Sequence, residues 1–164
     1  MTATYEKIAT TTVSTPTLNV TFSSISSAYT DLVLVCGYSR SGGGNNISLR
    51  LNGDTSNYSE TYIEGDGSSA YSGRNSNDSN MRIAFIAGGT ATAQSTLIVN
   101  FMNYSNTTTY KTVLSRYSES TSVAGSAVGL WRSTSAINSI EIGRSATVNW
   151  TTGSVLTLYG IKAA

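Results

Sequence analysis

The sequence predicts an all-β protein: an antiparallel, two-sheet β-sandwich of jelly-roll-like form. Apolar residues alternate with polar ones at a period of two, as at Leu18-x-Val20-x-Phe22 and Ile47-x-Leu49-x-Leu51, whereas helical spacing is nearly absent. The alternating runs are short and are bounded by Gly, Asn and Ser. Since 164 residues fall in the range of one domain, we expect residues 1–164 to form a single β-sandwich.

The runs correspond to about 8–11 short strands, the number that sandwiches and jelly rolls contain. Each run either alternates or is continuously apolar, and each ends at turn residues. The expected strands are 4–13, 17–22, 31–40, 46–52, 57–63, 81–87, 93–102, 110–118, 125–131, 136–143 and 154–161.

The last of these strands is apolar on both faces. Alternation places Val155, Tyr159 and Ile161 on one side and Leu156 and Leu158 on the other. Strands that are covered on both faces show this pattern, so we expect 154–161 to occupy an interior position in its sheet.

Several connections have turn chemistry. Asn52-Gly53 can adopt the positive φ angles of a type I′ hairpin between strands 46–52 and 57–63. Gly42-Gly43-Gly44 and Gly88-Gly89 indicate two more turns. The segment 24–29 is expected to form a short helical turn, with its apolar side chains facing inward at i and i+4.

Residues 64–80 form the one long segment without strand character. Gly, Ser, Asn and charged residues dominate it, which predicts a surface loop or an arm that orders against a neighbour. Glu60, in the preceding strand, lies close in sequence to Glu64 and Asp66 at the start of this segment, and three interpretations of these acidic residues stay open. They could be solvated loop charges, calcium ligands or the paired carboxylates of a glycosidase, and we favour the first.

Composition argues against most catalytic and nucleic-acid-binding functions. The chain has no histidine, which excludes His-based relays and removes the commonest zinc ligand. Cys36 stands alone in an apolar run and is expected to be a small buried hydrophobe. Ten basic residues against nine acidic ones are scattered singly, so no phosphate-binding stripe is expected. We therefore expect no enzyme activity, no cofactor, no metal and no nucleic acid.

No segment has the pattern of a signal peptide or of a membrane-spanning run of about 20 apolar residues. The expectation is synthesis in a cytoplasm, without export by a cleaved signal and without a membrane partner.

Aromatic residues supply the remaining signal. Trp131 and Trp150 precede turn-like segments, and Tyr71 lies in the polar segment 64–80. Such rings either pack in the sandwich or a subunit interface, which we favour, or stack on sugars beside Asn, Ser and Thr. Trp131 is the better candidate for a ligand contact, because a turn follows it.

A set of spaced motifs resembles small β-sandwich virion proteins of tailed bacteriophages. The motifs span nearly the whole chain: Phe22-x-x-Ile25-x-x-x-Tyr29-x-Asp31-Leu32-Val33-Leu34-Val35, Leu51-Asn52-Gly53-Asp54 with Tyr58, Asn103-Tyr104 with Lys111-Thr112, Ile137-x-x-Ile140, and Gly153-Ser154 to Leu158-Tyr159-Gly160-Ile161.

The resemblance implies a capsid decoration or cement protein, or a domain of a tail fibre. It implies a homo-oligomer, most often a trimer, on the virion surface in contact with the major capsid protein or other virion proteins. No coiled-coil or shaft repeat accompanies the motifs, which favours the capsid over the tail. The alternative is a carbohydrate-binding module that recognises a host glycan.

Overall fold

The computed structural model describes residues 4–41, 45–86, 94–120, 122–143 and 148–162. Within them the backbone forms fourteen strands and no helix. The strands are β1 Tyr5–Thr12, β2 Val20–Phe22, β3 Asp31–Tyr38, β4 Arg40–Ser41, β5 Asn45–Leu51, β6 Tyr58–Gly65, β7 Ala70–Asp78, β8 Met81–Ile86, β9 Ser95–Met102, β10 Lys111–Ser118, β11 Ala124–Trp131, β12 Ile140–Gly143, β13 Asn149–Trp150 and β14 Val155–Ile161.

The strands form an antiparallel β-sandwich, which confirms the predicted fold class. An eight-stranded sheet has the order β1-β14-β3-β9-β10-β11-β6-β7, and a four-stranded sheet has the order β2-β12-β5-β8. We call these the large sheet and the small sheet. β4 and β13 pair as a short separate ribbon.

The core lies between the two sheets. It is built from alternate residues of each strand, such as Leu34 and Val99 of the large sheet and Leu49 and Ile142 of the small one, all fully buried. Period-two alternation in the sequence therefore corresponds to one inward face on each sheet.

The predicted loop 64–80 is wrong over most of its length. Residues 70–78 form β7, an edge strand of the large sheet that pairs antiparallel with β6. Ser72, Arg74 and Ser76 face outward, and the inward positions carry the half-exposed Tyr71, Gly73, beneath the Tyr62 ring, and Asn75, bound to Glu60. An edge strand whose inward residues contribute so little apolar surface has no hydrophobic alternation to detect.

The predicted helical turn at 24–29 does not form. Ser24 has a positive φ of 56°, and backbone groups of the segment bond to distant parts of the chain. The amide of Ile25 donates to the Asn138 carbonyl, and the Tyr104 hydroxyl donates to the Ser26 carbonyl. These contacts replace the local bonds of a helix, although Ile25 faces inward as expected.

The Asn52-Gly53 turn has the expected geometry but does not make a hairpin. Asn52 and Gly53 have φ of 53° and 72°, and the amide of Asp54 donates to the Leu51 carbonyl at 3.0 Å. However, β5 pairs with β12 and β8, whereas β6 pairs with β11 and β7. The turn carries the chain from the small sheet to the large one. The predicted turns at Gly42–Gly44 and Gly88–Gly89 lie outside the described residues.

β14 occupies the interior position that was predicted for the last strand, between β1 and β3. Leu156 and Leu158 are fully buried in the core. On the opposite face Val155 is 37% exposed, and Tyr159 and Ile161 are partly exposed. The expectation of cover on both faces is therefore wrong within this chain.

Candidate functional site

Glu60 and Glu64 are not loop charges. Both lie on β6 with their side chains on the inward face of the large sheet, and Glu60 is 3% exposed. Glu60 Oε1 accepts a hydrogen bond from Asn75 Nδ2 at 2.6 Å, while Oε2 is buried without a hydrogen-bond partner. Burial raises the pKa of Glu60, and the hydrogen bond from Asn75 offsets only part of that rise.

Glu64 belongs to a buried polar cluster. Its Oε2 accepts from Arg82 Nη2 and from the Tyr117 hydroxyl, both at 2.5 Å. The Arg82 guanidinium lies 3.6 Å from the centroid of the Tyr62 ring. Burial, together with the neighbouring Glu64 carboxylate, raises the pKa of Tyr117. The cluster bonds β6, β8 and β10 together and so serves packing.

The acidic residues do not converge on a catalytic or metal site. Glu60 and Glu64 are four residues apart on one strand, so their Cα atoms are separated by about 13 Å. Paired carboxylates of glycosidases lie about 5–9.5 Å apart. Asp66 instead closes an exposed turn, accepting from the amides of Ser68 and Ser69. Among the described residues, no group of three or more Cys, Asp or Glu side chains is arranged to hold a metal.

Both tryptophans are buried, which does not fit sugar stacking. Trp131 is 2% exposed, its ring stacks on Tyr58 at 6.3 Å, and its Nε1 donates to Asp54 Oδ2 at 2.8 Å. Burial acts to raise the pKa of Asp54, but the bonds from Trp131 and Ser56 outweigh it and the pKa is lowered. Burial also raises the pKa of Tyr58 to about 12.

The other two candidate residues differ in exposure. Trp150 is fully buried and meets the Tyr38 ring edge-on at 5.2 Å. Tyr71 is 50% exposed, and its hydroxyl donates to Asp66 Oδ2 at 3.0 Å. Tyr71 borders a groove of about 610 Å³ that Ile63 and Ser126 also line. Of the three predicted aromatic residues, only Tyr71 has an exposed side chain.

The side of the large sheet that faces away from the small sheet is a broad surface with many apolar residues. We call it the outer face and define it on the six strands from β14 to β6. Strand register places there the odd-numbered residues of 31–37, 59–65 and 155–161 and the even-numbered residues of 96–102, 112–118 and 124–130.

The outer face carries several large apolar side chains that are exposed. Ile63, Val128, Met102 and Leu114 are 62%, 55%, 49% and 40% exposed. Val33 lies beneath its outer-face neighbours and is 6% exposed, yet it does not belong to the core cluster. Contiguous exposed apolar patches of this kind mark protein–protein contacts or ligand grooves.

Charge is nearly absent from the same surface. Of the 24 positions that define the outer face, only Asp31 and Arg116 are charged, and their charges cancel. Asp31 Oδ1 accepts from the amide of Asn103 at 2.6 Å, and Arg116 is exposed. A neutral apolar face is suited to contact with another protein.

The sequence pattern indicated only part of this surface. It identified 154–161 as apolar on both sides, but the same pattern extends to 31–37 and 96–102, where Val33, Val35, Ile98 and Met102 are the outward residues. Read across three neighbouring strands, that pattern would have predicted an apolar face outside the core.

No helix among the described residues is long and apolar enough to cross a membrane. No protein-family model matches the chain, and no curated protein sequence matches it.

The solved structures to which the chain shows similarity include two from infectious bursal disease virus. The crystal structure of the infectious bursal disease virus VP2 subviral particle is 14% identical with a TM-score of 0.14, covering 96% of this chain and 40% of that one. The structure of the infectious bursal disease virus Gx strain is 12% identical with a TM-score of 0.10, covering 96% and 36%. The chain therefore spans less than half of either, and similarities this low carry no argument.

Proposed function

We propose that this chain is a bacteriophage virion structural protein, a capsid decoration or cement protein that binds the outer head surface and stabilises the shell. The observation that carries the proposal is the outer face. A protein that works by contact needs a broad surface of low charge, and Leu114, Val128 and Ile63 provide one on a rigid sheet.

The sequence motifs support the same function, and so does the buried environment of the polar side chains. Glu60, Glu64 and Arg82 form hydrogen bonds inside the sandwich: Glu60 with Asn75, and Glu64 with Arg82. The action would be mechanical. Copies of the protein, a homotrimer by the resemblance, would contact the major capsid protein, and the buried area would resist the pressure of packaged DNA.

Reconstruction of the intact virion tests the location. We expect ordered density for this chain at fixed symmetry positions on the head, and particles that lack it should release DNA at a lower temperature. Density confined to the tail, or unchanged heat resistance without the protein, would contradict the proposal.

A charged substitution tests the surface. Val128→Asp on the outer face should lower occupancy on the particle, because burying an unpaired carboxylate at a contact is unfavourable. Thr21→Asp is the matched control, since Thr21 is exposed on β2 of the small sheet. If both variants occupied the particle equally, the outer face would not be needed for binding to the particle.

A tail-fibre or other carbohydrate-binding module is the second candidate, favoured by the exposed Tyr71 ring beside the 610 Å³ groove. It predicts saturable binding on a glycan array that Tyr71→Ala abolishes without a change in melting temperature. An array without signal would remove this candidate.

A further inference from the structure

We propose that the partner covering the outer face is a second copy of this chain, related to the first by a two-fold axis that passes over Asn100. This inference rests on the proposed function and narrows it: the outer face joins two copies of the protein, and other surfaces of the assembled copies contact the head. Three observations carry it: the size of the face, its net neutrality and the positions of its two charges.

The size of the outer face fits a weak, reversible contact between two copies. Its six strands, spaced by about 4.8 Å and each with four outward residues about 6.7 Å apart, span about 24 by 20 Å, or roughly 480 Å². Two such faces together give about 960 Å², and interfaces below about 1,200 Å² in total are typical of transient complexes. The outer face is therefore large enough for a contact that dissociates on dilution.

The register fixes where the charges lie. Asn100 is the outward residue of β9, with Val33 beside it on β3 and Leu114 beside it on β10. Arg116 lies one strand over on β10 and one outward position along, level with Ile98. Asp31 lies one strand over in the opposite direction, on β3, and one outward position the other way. Asp31, Asn100 and Arg116 thus form a diagonal with Asn100 at its midpoint.

A two-fold axis in the plane of the contact, over Asn100 and perpendicular to this diagonal, exchanges its two ends. Asp31 of one copy then faces Arg116 of the other, twice, and the two Asn100 amides meet at the centre. An amide can donate to and accept from an identical amide, so the central pair is self-complementary.

The same operation matches the apolar residues. With strands about 4.8 Å apart and outward residues about 6.7 Å apart, Val33 of one copy comes closest to Ile98 of the other, and Leu114 comes closest to Met102. Met102 and Leu114 are 49% and 40% exposed in the single chain. Charge therefore meets opposite charge and apolar surface meets apolar surface under one rotation, as an isologous contact requires.

The free chain leaves both charged groups available. Asp31 uses Oδ1 for the amide of Asn103, which leaves Oδ2 for an arginine. Arg116 is exposed on the outer face. The paired charges would fix the register of the contact, since like charges in opposition are costly.

Sedimentation velocity and native mass spectrometry of the full chain test the contact. An isologous contact gives an even number of copies, a dimer or a dimer of trimers, that dissociates on dilution. Arg116→Asp places two carboxylates opposite each other at each pair and should weaken association by about 100-fold or more. Asp31→Arg should do the same, and the double variant D31R/R116D should restore association.

Arg74→Asp is the matched control, with the same charge change on the same side of the large sheet. Arg74 lies on β7, three strands beyond Arg116 and outside the outer face, where the rotation brings no residue of the partner's outer face opposite it. Association of R74D should equal that of the wild type. Arg116→Asp leaves the Asp31–Asn103 bond intact, so its far-UV circular dichroism should stay unchanged while the mass falls.

A wild type that remains a monomer or a trimer at millimolar concentration would overturn the two-fold contact. So would a double variant that stays dissociated while both single variants are folded. Either result leaves decoration of the head untouched, whereas absence of the protein from the head would leave a measured two-fold contact intact.

Discussion

Glu60 shows at the residue scale how burial sets a pH response. Its carboxyl is buried with one unpartnered oxygen, and burial raises its pKa. The native state therefore holds this proton more tightly than the unfolded state does. The stability that this provides is complete below the unfolded pKa of 4.5 and is lost as the pH rises through the native value.

Glu60→Gln should thus stabilise the protein at pH 7 by about 1 kcal/mol, since the amide keeps an acceptor for Asn75 and carries no charge to desolvate. Near pH 4 the difference should vanish. Urea unfolding from pH 4 to 8 measures both.

Asp66→Asn is the control with the opposite sign. Amides of Ser69 and Ser68 lower the pKa of Asp66, so its contribution is present above the unfolded value and is lost at lower pH. The D66N variant should lose stability relative to wild type as the pH rises. An E60Q variant less stable than wild type at pH 7 would refute the assignment of an unfavourable buried charge.

Asn52 has a second role at the residue scale that its turn motif alone did not indicate. Its Nδ2 donates to the Ala136 carbonyl, and its Oδ1 accepts from the amides of Asn138 and Ser139. One side chain therefore anchors the segment that leads into β12.

Asn52→Ala should cost about 3 kcal/mol, because it removes these bonds and leaves a positive φ on a residue with Cβ. Asn57→Ala changes another positive-φ asparagine, at 69°, which is exposed and holds only Ser56 through its side chain. It should cost about 1 kcal/mol. Equal shifts in melting temperature would show that the side-chain bonds contribute little.

Pairs of tyrosine and glycine stabilise the large sheet at the scale of the element. Tyr117 lies over Gly125, its direct neighbour across the β10–β11 pairing, and Tyr62 lies over Gly73 in the same way on β6 and β7. Each glycine leaves room for a ring that would otherwise meet a side chain.

Gly125→Ala should therefore destabilise the protein by about 1–3 kcal/mol. The added Cβ would lie 2.5 Å from the Tyr117 oxygen and 2.8 Å from the Ile63 carbonyl, which is backbone and cannot move aside easily. Gly65→Ala is the control on the neighbouring strand, where the nearest atom is the Ser69 carbonyl at 3.5 Å. Thermal unfolding of both variants measures the difference in stability. A G125A protein as stable as G65A would contradict the packing argument.

β14 is the element on which the large sheet depends. It pairs with β1 along one side and β3 along the other, so removing residues 155–164 separates β1 from the sheet and exposes Leu34 and Cys36. We expect the truncated chain to lose cooperative unfolding and dispersed amide NMR signals. Leu158→Ala keeps the strand and should remain folded at a cost of about 3 kcal/mol. Native-like spectra from the truncation would contradict this role.

The elements that sequence predicted well are those whose side chains alternate. β3, β9 and β10 match their predicted ranges within about two residues, because each buries one face in the core. β7 was missed because its pairing is made by backbone groups and by a glycine and an asparagine facing inward. The two-residue strands β4 and β13 are too short for any pattern.

At the scale of the whole molecule, the sequence pattern could not predict which elements pack against one another. Alternation identifies which residues share a face, but it gave no sign that Glu60 and Glu64, which we interpreted as loop charges, are buried. Their burial follows from β7 and β8 packing beside β6. Lys111 is likewise buried, with Nζ donating to the carbonyls of Thr109 and Thr134, although no pattern indicated it.

The outer face was predictable in part, since β14 already showed two apolar sides. What the sequence could not supply was the strand order that places β14, β3, β9 and β10 side by side. Only in that order do scattered aliphatic residues become one surface, and only then do Asp31 and Arg116 stand symmetrically about Asn100.

The antiparallel pairing of β1 with β14 has a consequence for mechanical load. Tyr5 pairs with Ile161, and the amide of Lys162 donates to the Thr4 carbonyl at 3.1 Å, so both strands leave the sheet at the same corner. A force that pulls Thr4 away from Lys162 would break the hydrogen-bonded pairs between β1 and β14 one after another and would meet little resistance. A force applied along the strands from opposite ends would load all of these pairs at once, which makes the sandwich strong in one direction and easily peeled in the other.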